Sequence, residues 1–273
     1  MKQAKTIAVC NQKGGTGKTN VTVNLGIGLA RQGRKVLLID ADPQGDLTTS
    51  LGWRQGDEME NTLADLLKHT IADKSAEVQT AIRHHDEDVD LIPANLELSS
   101  MEMNLVATMG REYILKRTMA SVKNDYDYIL IDNMPSLGML TINALAAADS
   151  VLIPVQAQYL PAKGMTQLVK TIMKVKNQIN PDLAIDGIIL TMADIRTNMT
   201  KTVAETLHAQ YGSSLKIFRS VIPLATKAAE TSAAGKSIYR YDPNSKVAAA
   251  YEALTKEVLK HDERFKTRPA IAR

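Results

Sequence analysis

Between residues 5 and 32 an apolar run, a glycine-rich loop and a long helical pattern follow one another without interruption, and this stretch restricts the fold more than any other. "KTIAVC" (5–10) is apolar from Ile7 on, "NQKGGTGKTN" (11–20) closes on Gly17, Lys18 and Thr19, and 18–32 carries apolar residues three and four positions apart. An ordinary phosphate loop reads G-x-x-x-x-G-K-[ST], which puts Gln12 where the first glycine belongs and Lys13, a second lysine, beside the gap. In a strand–loop–helix setting, the backbone N–H groups of Gly14, Gly15, Thr16, Gly17, Lys18 and Thr19 and the positive end of the helix cradle phosphates. Lys18 then reaches the β/γ oxygens and Thr19 holds Mg²⁺.

The rest of the chain extends this unit. "KVLLID" (35–40), "VDLIP" (89–93), "DYILID" (127–132), "SVLIPV" (150–155) and "AIDGIILTM" (184–192) read as further strands buried on both faces. Helical spacing predicts helices over 61–69, 96–108, 111–123, 138–147, 162–178, 199–211 and 244–260. Alternation of this kind implies βαβ units, a mostly parallel doubly wound α/β sheet flanked by helices, and ligands beyond the carboxyl ends of the strands. At 273 residues and 44% hydrophobic the chain can bury one large core. No linker or internal repeat divides it, so we expect a single domain over 1–262 and a charged, frayed tail over 263–273.

Two strands end in carboxylates where a phosphate site needs them: "LLIDADPQG" supplies Asp40 and Asp42, and "YILIDNMPS" supplies Asp132 after four apolar residues, as a Walker-B aspartate would stand. The lone cysteine, Cys10, permits no internal disulfide and reads as a small buried strand residue. In "RHHDEDVD" (83–90) His84 and His85 adjoin acids, but neighbouring histidines do not face the same way on a helix, so we expect a solvated turn and no metal site. Trp53 in "SLGWRQGDE" is either a mobile contact near the phosphate site or a loop anchor.

"NQKGGTGKT", "LLIDADPQGDLTTSLG", "DLIPAN", "DYDYILIDNMPSLGMLTINALAAADSVLIPVQ", "NPDL", "ILTMADIRTN" and "YDPNSKVAAAYEAL" together resemble the ParA/Soj group of partition ATPases, with their deviant Walker A motif. The resemblance covers nearly the whole chain. It implies an ATP-dependent, nucleotide-sandwich homodimer in which Lys13 reaches across to the partner's ATP phosphates, and it makes Lys13, Lys18 and Asp42 the catalytic set. By the same resemblance Asp42 orients or activates the attacking water, Asp40 and Asp132 support Mg²⁺ with Thr19, Asn20 completes the nucleotide loop, and Pro223 with the backbone near Ala225 closes over adenine. The chain departs from the family at Asn20, where a second threonine is common, at "DNMPS" (132–136) for "DCPPS", and at "IPLATKAAE" (222–230) for "IPRNVRLSE". In the last segment Leu224 and Lys227 replace two arginines associated with DNA binding.

Charge is uneven: residues 1–190 hold 19 Lys+Arg against 22 Asp+Glu, and 191–273 hold 14 against 8. A net of −3 therefore precedes a net of +6. In the light of the resemblance, the basic third is expected to bind double-stranded DNA nonspecifically through Arg196, Lys201, Arg219, Lys227, Lys236, Arg240 and Lys246, since phosphate contacts give affinity without base readout. A ParB-type centromere-binding protein is the expected partner, and a plasmid, chromosome region or mobile element the cargo. Without a signal peptide, an apolar span or an apolar-faced C-terminal helix, no membrane is expected, and the protein belongs in the cytoplasm on the nucleoid. With the P-loop near residue 11, no N-terminal helix-turn-helix is expected, which argues against operator-specific repression. The other readings are a MinD-like positioning ATPase acting on a membrane or protein cargo, which the tail disfavours, and a non-hydrolysing nucleotide-dependent regulator, which intact Lys18 and Asp42 oppose. A nitrogenase-reductase-like role fails for want of cysteines.

Overall fold

The computed structural model describes residues 3–157, 162–194 and 196–266. In chain order its elements are β1 (Lys5–Val9), α1 (Lys18–Arg31), β2 (Val36–Ala41), α2 (Asp46–Ser50), α3 (Leu63–Ile71), α4 (Val78–Ala81), β3 (Arg83–His85), β4 (Val89–Ile92), α5 (Leu98–Val106) and α6 (Ile114–Thr118). There follow β5 (Tyr128–Asn133), α7 (Met139–Ala147), β6 (Ser150–Gln156), α8 (Ala162–Gln178), β7 (Ala184–Ala193), α9 (Asn198–Tyr211), β8 (Ile217–Pro223), α10 (Lys227–Ala234), α11 (Ile238–Tyr241) and α12 (Lys246–Lys266). The eight strands form one sheet in the order β3-β4-β2-β5-β1-β6-β7-β8. Every pairing is parallel except that of β3 with β4.

All six expected strands are present, and their composition explains why. Each position of β2 and β5 is buried, because helices cover both faces of the sheet. Alternate side chains divide between those faces. Val36 and Leu38 of β2 join α1 and α12 in one core, whereas Leu37 and Ile39 join α3, α5, α6 and α7 in another. A third cluster seats α8 and α9 against β6 and β7 and includes Cys10, whose thiol is buried and pushed up to about 12, chiefly by burial. Cys10 is the small buried residue expected.

Two expectations are corrected. The helix expected over 111–123 is broken into a single 3-10 turn at Arg111–Tyr113, α6, and another at Met119–Ser121. The cause is Asn143 of α7, whose carboxamide enters the backbone ladder: its Nδ2 donates to the Arg111 carbonyl (2.7 Å) and its Oδ1 accepts from the Leu115 N–H (3.0 Å). Those two groups would otherwise bond each other as i and i+4 of a helix.

The solvated turn expected at 83–90 is instead an antiparallel edge hairpin, β3 to β4. Successive side chains of a strand alternate, so His84 stays outside with Asp90 (2.8 Å), while His85 turns in against the Trp53 ring at 5.9 Å. That contact makes Trp53 an anchor of its loop. An eighth strand, β8, forms the far edge, where the Glu257 carboxylate of α12 accepts from the Arg219 and Ser220 N–H groups and covers an otherwise open edge. Helix α12 extends to Lys266, and residues 267–273 of the expected tail lie outside the described residues.

Candidate nucleotide and metal site

The loop after β1 reaches the start of α1 through two residues with positive φ, Gly15 (70°) and Gly17 (80°), a backbone that L side chains rarely adopt. Gly17 is also the N-cap of α1, so no side chain caps that helix, and its first turn holds no acid. The positive end of a fourteen-residue helix therefore faces outward with its donors unclaimed by any cap. The neighbouring strands fix the loop's shape: the Thr191 hydroxyl of β7 donates to the Thr16 carbonyl (2.8 Å), and the Asn11 amide donates to the Pro154 carbonyl (2.6 Å).

The loop floors a cavity of about 510 Å³, within the range of small-molecule sites. Gly14 to Asn20 form one wall, Asp42, Gln44, Asp46, Thr49 and Ser50 form the opposite wall, and Pro135, Met192 and Ser232 complete the rim. The two lysines of the loop part company. Lys18 is 8% exposed and lines the cavity, whereas Lys13 is exposed, is not among the described lining residues, and extends its ammonium to the Gln156 side chain at 3.5 Å.

Asp40 and Asp132 are direct partners in the β2/β5 register, and both are buried. Their wiring differs. Asp132 accepts from the Thr19 hydroxyl (2.7 Å) and the Thr22 hydroxyl (3.3 Å), which fixes it behind the first turn of α1. Asp40 accepts from the Thr48 N–H (2.8 Å), the Thr48 hydroxyl (2.7 Å) and the Asp42 N–H (3.2 Å), so both of its oxygens hold the chain that carries Asp42. Burial raises both carboxyls, Asp132 to about 8 with the adjacent Asp40 charge adding to the effect, and Asp40 to about 7 against the lowering pull of Thr48. Asp42 stands at the wall and accepts from the Gln44 N–H (3.0 Å). Burial, and the Asp42 charge beside it, also raise Asp46.

The donor set suits a nucleoside polyphosphate with a hard divalent cation. An uncapped helix N-terminus and a buried lysine face anionic oxygens, while the Thr19 hydroxyl beside a buried carboxylate offers the oxygen chemistry such an ion takes.

The remaining expected site residues lie elsewhere. Pro223 ends β8 and Ala225 packs on the first core, both half-buried, and neither lines the cavity. All seven basic candidates are exposed. Three are paired with acids: Arg196 with Asp194 (3.0 Å), Lys227 with Asp242 (2.9 Å), and Arg240 with Asp86. Among the described residues no acid pairs with Lys201, Arg219, Lys236 or Lys246. Thr22, Thr48, Thr191 and Ser232 escaped the sequence reading. Thr48 lies in "GDLTTSLG", but nothing local signals that its hydroxyl turns back to Asp40.

Residues 4–185 match a family model described as an AAA domain. The sporulation initiation inhibitor protein Soj of Bacillus subtilis is 44% identical over 254 residues, which cover 93% of this chain and 98% of that one. The chromosome partitioning protein ParA of Caulobacter vibrioides is 38% identical over 260 residues, 94% and 95% of the two chains. A crystal structure of cobyrinic acid a,c-diamide synthase from Mycobacterium smegmatis with bound ATP analog and magnesium is similar at a TM-score of 0.84 and 34% identity, covering 98% of this chain and all of that one. With the fold, the uncapped phosphate loop and these relatives in agreement, the chain belongs to the ParA/Soj-type partition ATPases.

Proposed function

We propose that this protein is a partition ATPase: an ATP-bound sandwich dimer that holds DNA nonspecifically, hydrolyses ATP, and is stimulated by a ParB-type partner to move or position a plasmid, chromosome region or mobile element. The observation that carries the reading is the separation of the two loop lysines. Lys18 is buried at the cavity wall, while Lys13 is held outside its own cavity, where a second subunit closing over the site could receive it. A lysine supplied in trans adds positive charge at the phosphates only after two subunits meet, so closure itself becomes the switch. Relatives named as chromosome partitioning proteins at 38–40% identity support this use. The synthase structure shares the fold, and a fold by itself does not carry an activity.

Within the site, the uncapped start of α1 and the loop N–H groups would bind the ATP phosphates, and Lys18 would pair with their oxygens. Thr19 and Asp132 would hold Mg²⁺, directly or through water. When bound, the ion neutralises phosphate charge and orients the reacting oxygens. Asp42 would orient the attacking water, and Asp40, with its oxygens committed to Thr48 and the Asp42 N–H, would act as a positioning residue for Asp42. Asn20 lines the cavity beside Thr19. Pro223 and Ala225 would reach adenine only if the segment after β8 closes on nucleotide binding. The protein would work in the cytoplasm, on the nucleoid.

The test measures ATP hydrolysis for the protein alone, with unrelated duplex DNA, with DNA plus the candidate partner, and with lipid vesicles. Stimulation that needs both DNA and partner is expected. Stimulation by vesicles alone would transfer the protein to the MinD-like class.

A further inference from the structure

The basic third of the chain stands mostly away from the nucleotide cavity, yet it touches the wall at one helix. Among the described residues that line the cavity, only Met192 and Ser232 come from 191–273, and Ser232 lies on α10. The Ser50 hydroxyl, at the end of α2, donates to the Ser232 hydroxyl (3.0 Å). Arg54 donates to the Ala233 carbonyl. Between these two contacts the backbones meet without side chains: a Cβ on Gly235 would lie 2.7 Å from the Gly52 Cα, and Gly235 itself caps α10 at φ 62°.

A second set of contacts holds the following residues. The Ile238 N–H donates to Asn24 Oδ1 (2.9 Å), and Asn24 Nδ2 donates to the carbonyl of Asn20, a lining residue. The Ser237 N–H donates to Glu87 (2.8 Å). Helices α10 and α11 are tied to each other by Lys227 to Asp242 (2.9 Å) and by the Tyr241 hydroxyl to Glu230 (2.8 Å). The block so formed carries Lys227, Lys236 and Arg240.

We propose that the loop from Ser50 to Arg54 and the α10–α11 block form the mechanical link by which the nucleotide cavity sets the position of Lys236, the cation of this block that no acid pairs with among the described residues, with Gly235 and Arg54 as positioning residues. This rests on the DNA-binding reading above and deepens it. The lining residues from Asp42 to Ser50 run directly into this loop, so a displacement of that wall on phosphate binding would reach Gly52 first. Closely packed backbone transmits a small displacement because it has no side chain to absorb it. Doubling of charge by dimerisation and repositioning by this link are separable contributions to DNA affinity, and only the second passes through Gly235. Trp53, the single tryptophan of the chain, sits inside the link and reports on it.

Two variants test the proposal. Gly235→Ala inserts a methyl into the Gly52 contact, and Arg54→Ala removes the bond to Ala233 at the surface. For each, sedimentation measures the ATP dimer, and titration of an unrelated duplex with Mg·ATP or Mg·ADP gives the ratio of the two DNA affinities. The expected result is a normal ATP dimer whose ATP/ADP ratio falls at least tenfold. Folded, dimerising variants that keep the wild-type ratio overturn the link. If Gly235→Ala does not fold, Arg54→Ala decides alone by the same two outcomes. Equal wild-type affinity in ATP and ADP would refute the DNA switch itself. Trp53 emission would then decide the link: an ATP-specific change lost in Arg54→Ala upholds it, and no ATP-specific change in the wild type removes it.

Discussion

Replacing Arg219 and Lys246 by alanine together should halve the salt sensitivity of DNA binding, and the size of that change follows from which cations are free. Of the seven basic candidates, Arg196, Lys227 and Arg240 are already paired with acids, and each pair would bring its own negative charge toward a bound duplex. Lys201, Arg219, Lys236 and Lys246 have no such partner among the described residues, so an ATP dimer offers eight free cations and a monomer four. Eight neutralised phosphates give a log–log salt slope of about −7, so raising salt from about 50 to about 200 mM weakens binding roughly 2 × 10⁴-fold.

The double variant leaves two free cations per subunit. Its ATP dimer should therefore show a slope of about −3.6 and a loss of only about 150-fold over the same interval. That slope equals the one expected of a wild-type monomer in ADP, although the variant is still a dimer. The assay is fluorescence anisotropy with two duplexes of unrelated sequence across a salt series, in ATP and in ADP, with sedimentation to fix the stoichiometry. Both duplexes should respond alike, because phosphate contacts carry no base information. An unchanged slope in the double variant, or equal wild-type affinities in the two nucleotides, would refute the reasoning.

The two loop lysines should separate in phenotype: Lys18→Ala abolishes nucleotide binding by isothermal titration, whereas Lys13→Ala keeps it and loses the ATP dimer by sedimentation. A normal ATP dimer in the Lys13 variant would rule out a role in trans. Asp42→Ala should bind ATP and dimerise but lower single-turnover hydrolysis by two or more orders of magnitude, the scale of general-base and positioning effects, and a wild-type rate would remove Asp42 from the chemistry. Lys5→Met should destabilise the fold by about 3 kcal/mol, because the Lys5 ammonium lies between the buried carboxylates of Asp186 (2.8 Å) and Asp262; a melting temperature lowered by roughly 6–10 °C would register it. In the wild type, burial pulls Lys5 down but Asp186 and Asp262 outweigh it, leaving the ammonium raised above its ordinary 10.5. Its stabilisation is therefore complete below that pH and is lost as pH rises through the folded value, and equal alkaline sensitivity of wild type and Lys5→Met in urea unfolding would contradict this.

What the sequence revealed and what it hid divide along a physical line. Strands buried on both faces announce themselves as short, mainly apolar and β-branched runs, which is why β1, β2 and β4 to β7 were legible. Strand β8 was not, since its Arg219 and Ser220 face the edge and mix polar with apolar positions, and its exposed N–H groups are covered by Glu257, 37 or more residues later. Helix periodicity over 111–123 was real, but a carboxamide from α7 interrupts it, and no local pattern records a partner 28 or more residues away. The same limit applies to His85, which periodicity on a helix excluded from any shared site for the wrong reason: the segment is a strand, and alternation turns the two imidazoles apart.

At the site, local sequence gave residue types and only tertiary contacts give roles. Asp40 and Asp132 are indistinguishable as strand-end carboxylates, and they even pair in register. What separates them is the hydroxyl each receives. Thr19 belongs to the phosphate loop, so a carboxylate bonded to it answers to whatever the loop binds. Thr48 belongs to the helix after Asp42, so a carboxylate bonded to it would govern where Asp42 points. Replacing Thr48 by valine keeps the shape and removes the hydroxyl, leaving Asp40 only the two backbone N–H groups, and its already raised carboxyl should rise further because a lowering partner is gone. The expected consequence is a loss in hydrolysis with ATP binding retained, the Asp42→Ala phenotype in milder form. If Thr48→Val instead impaired Mg²⁺-dependent nucleotide binding while sparing turnover, Asp40 would rejoin Asp132 as a support of the ion, and its positioning role would be withdrawn.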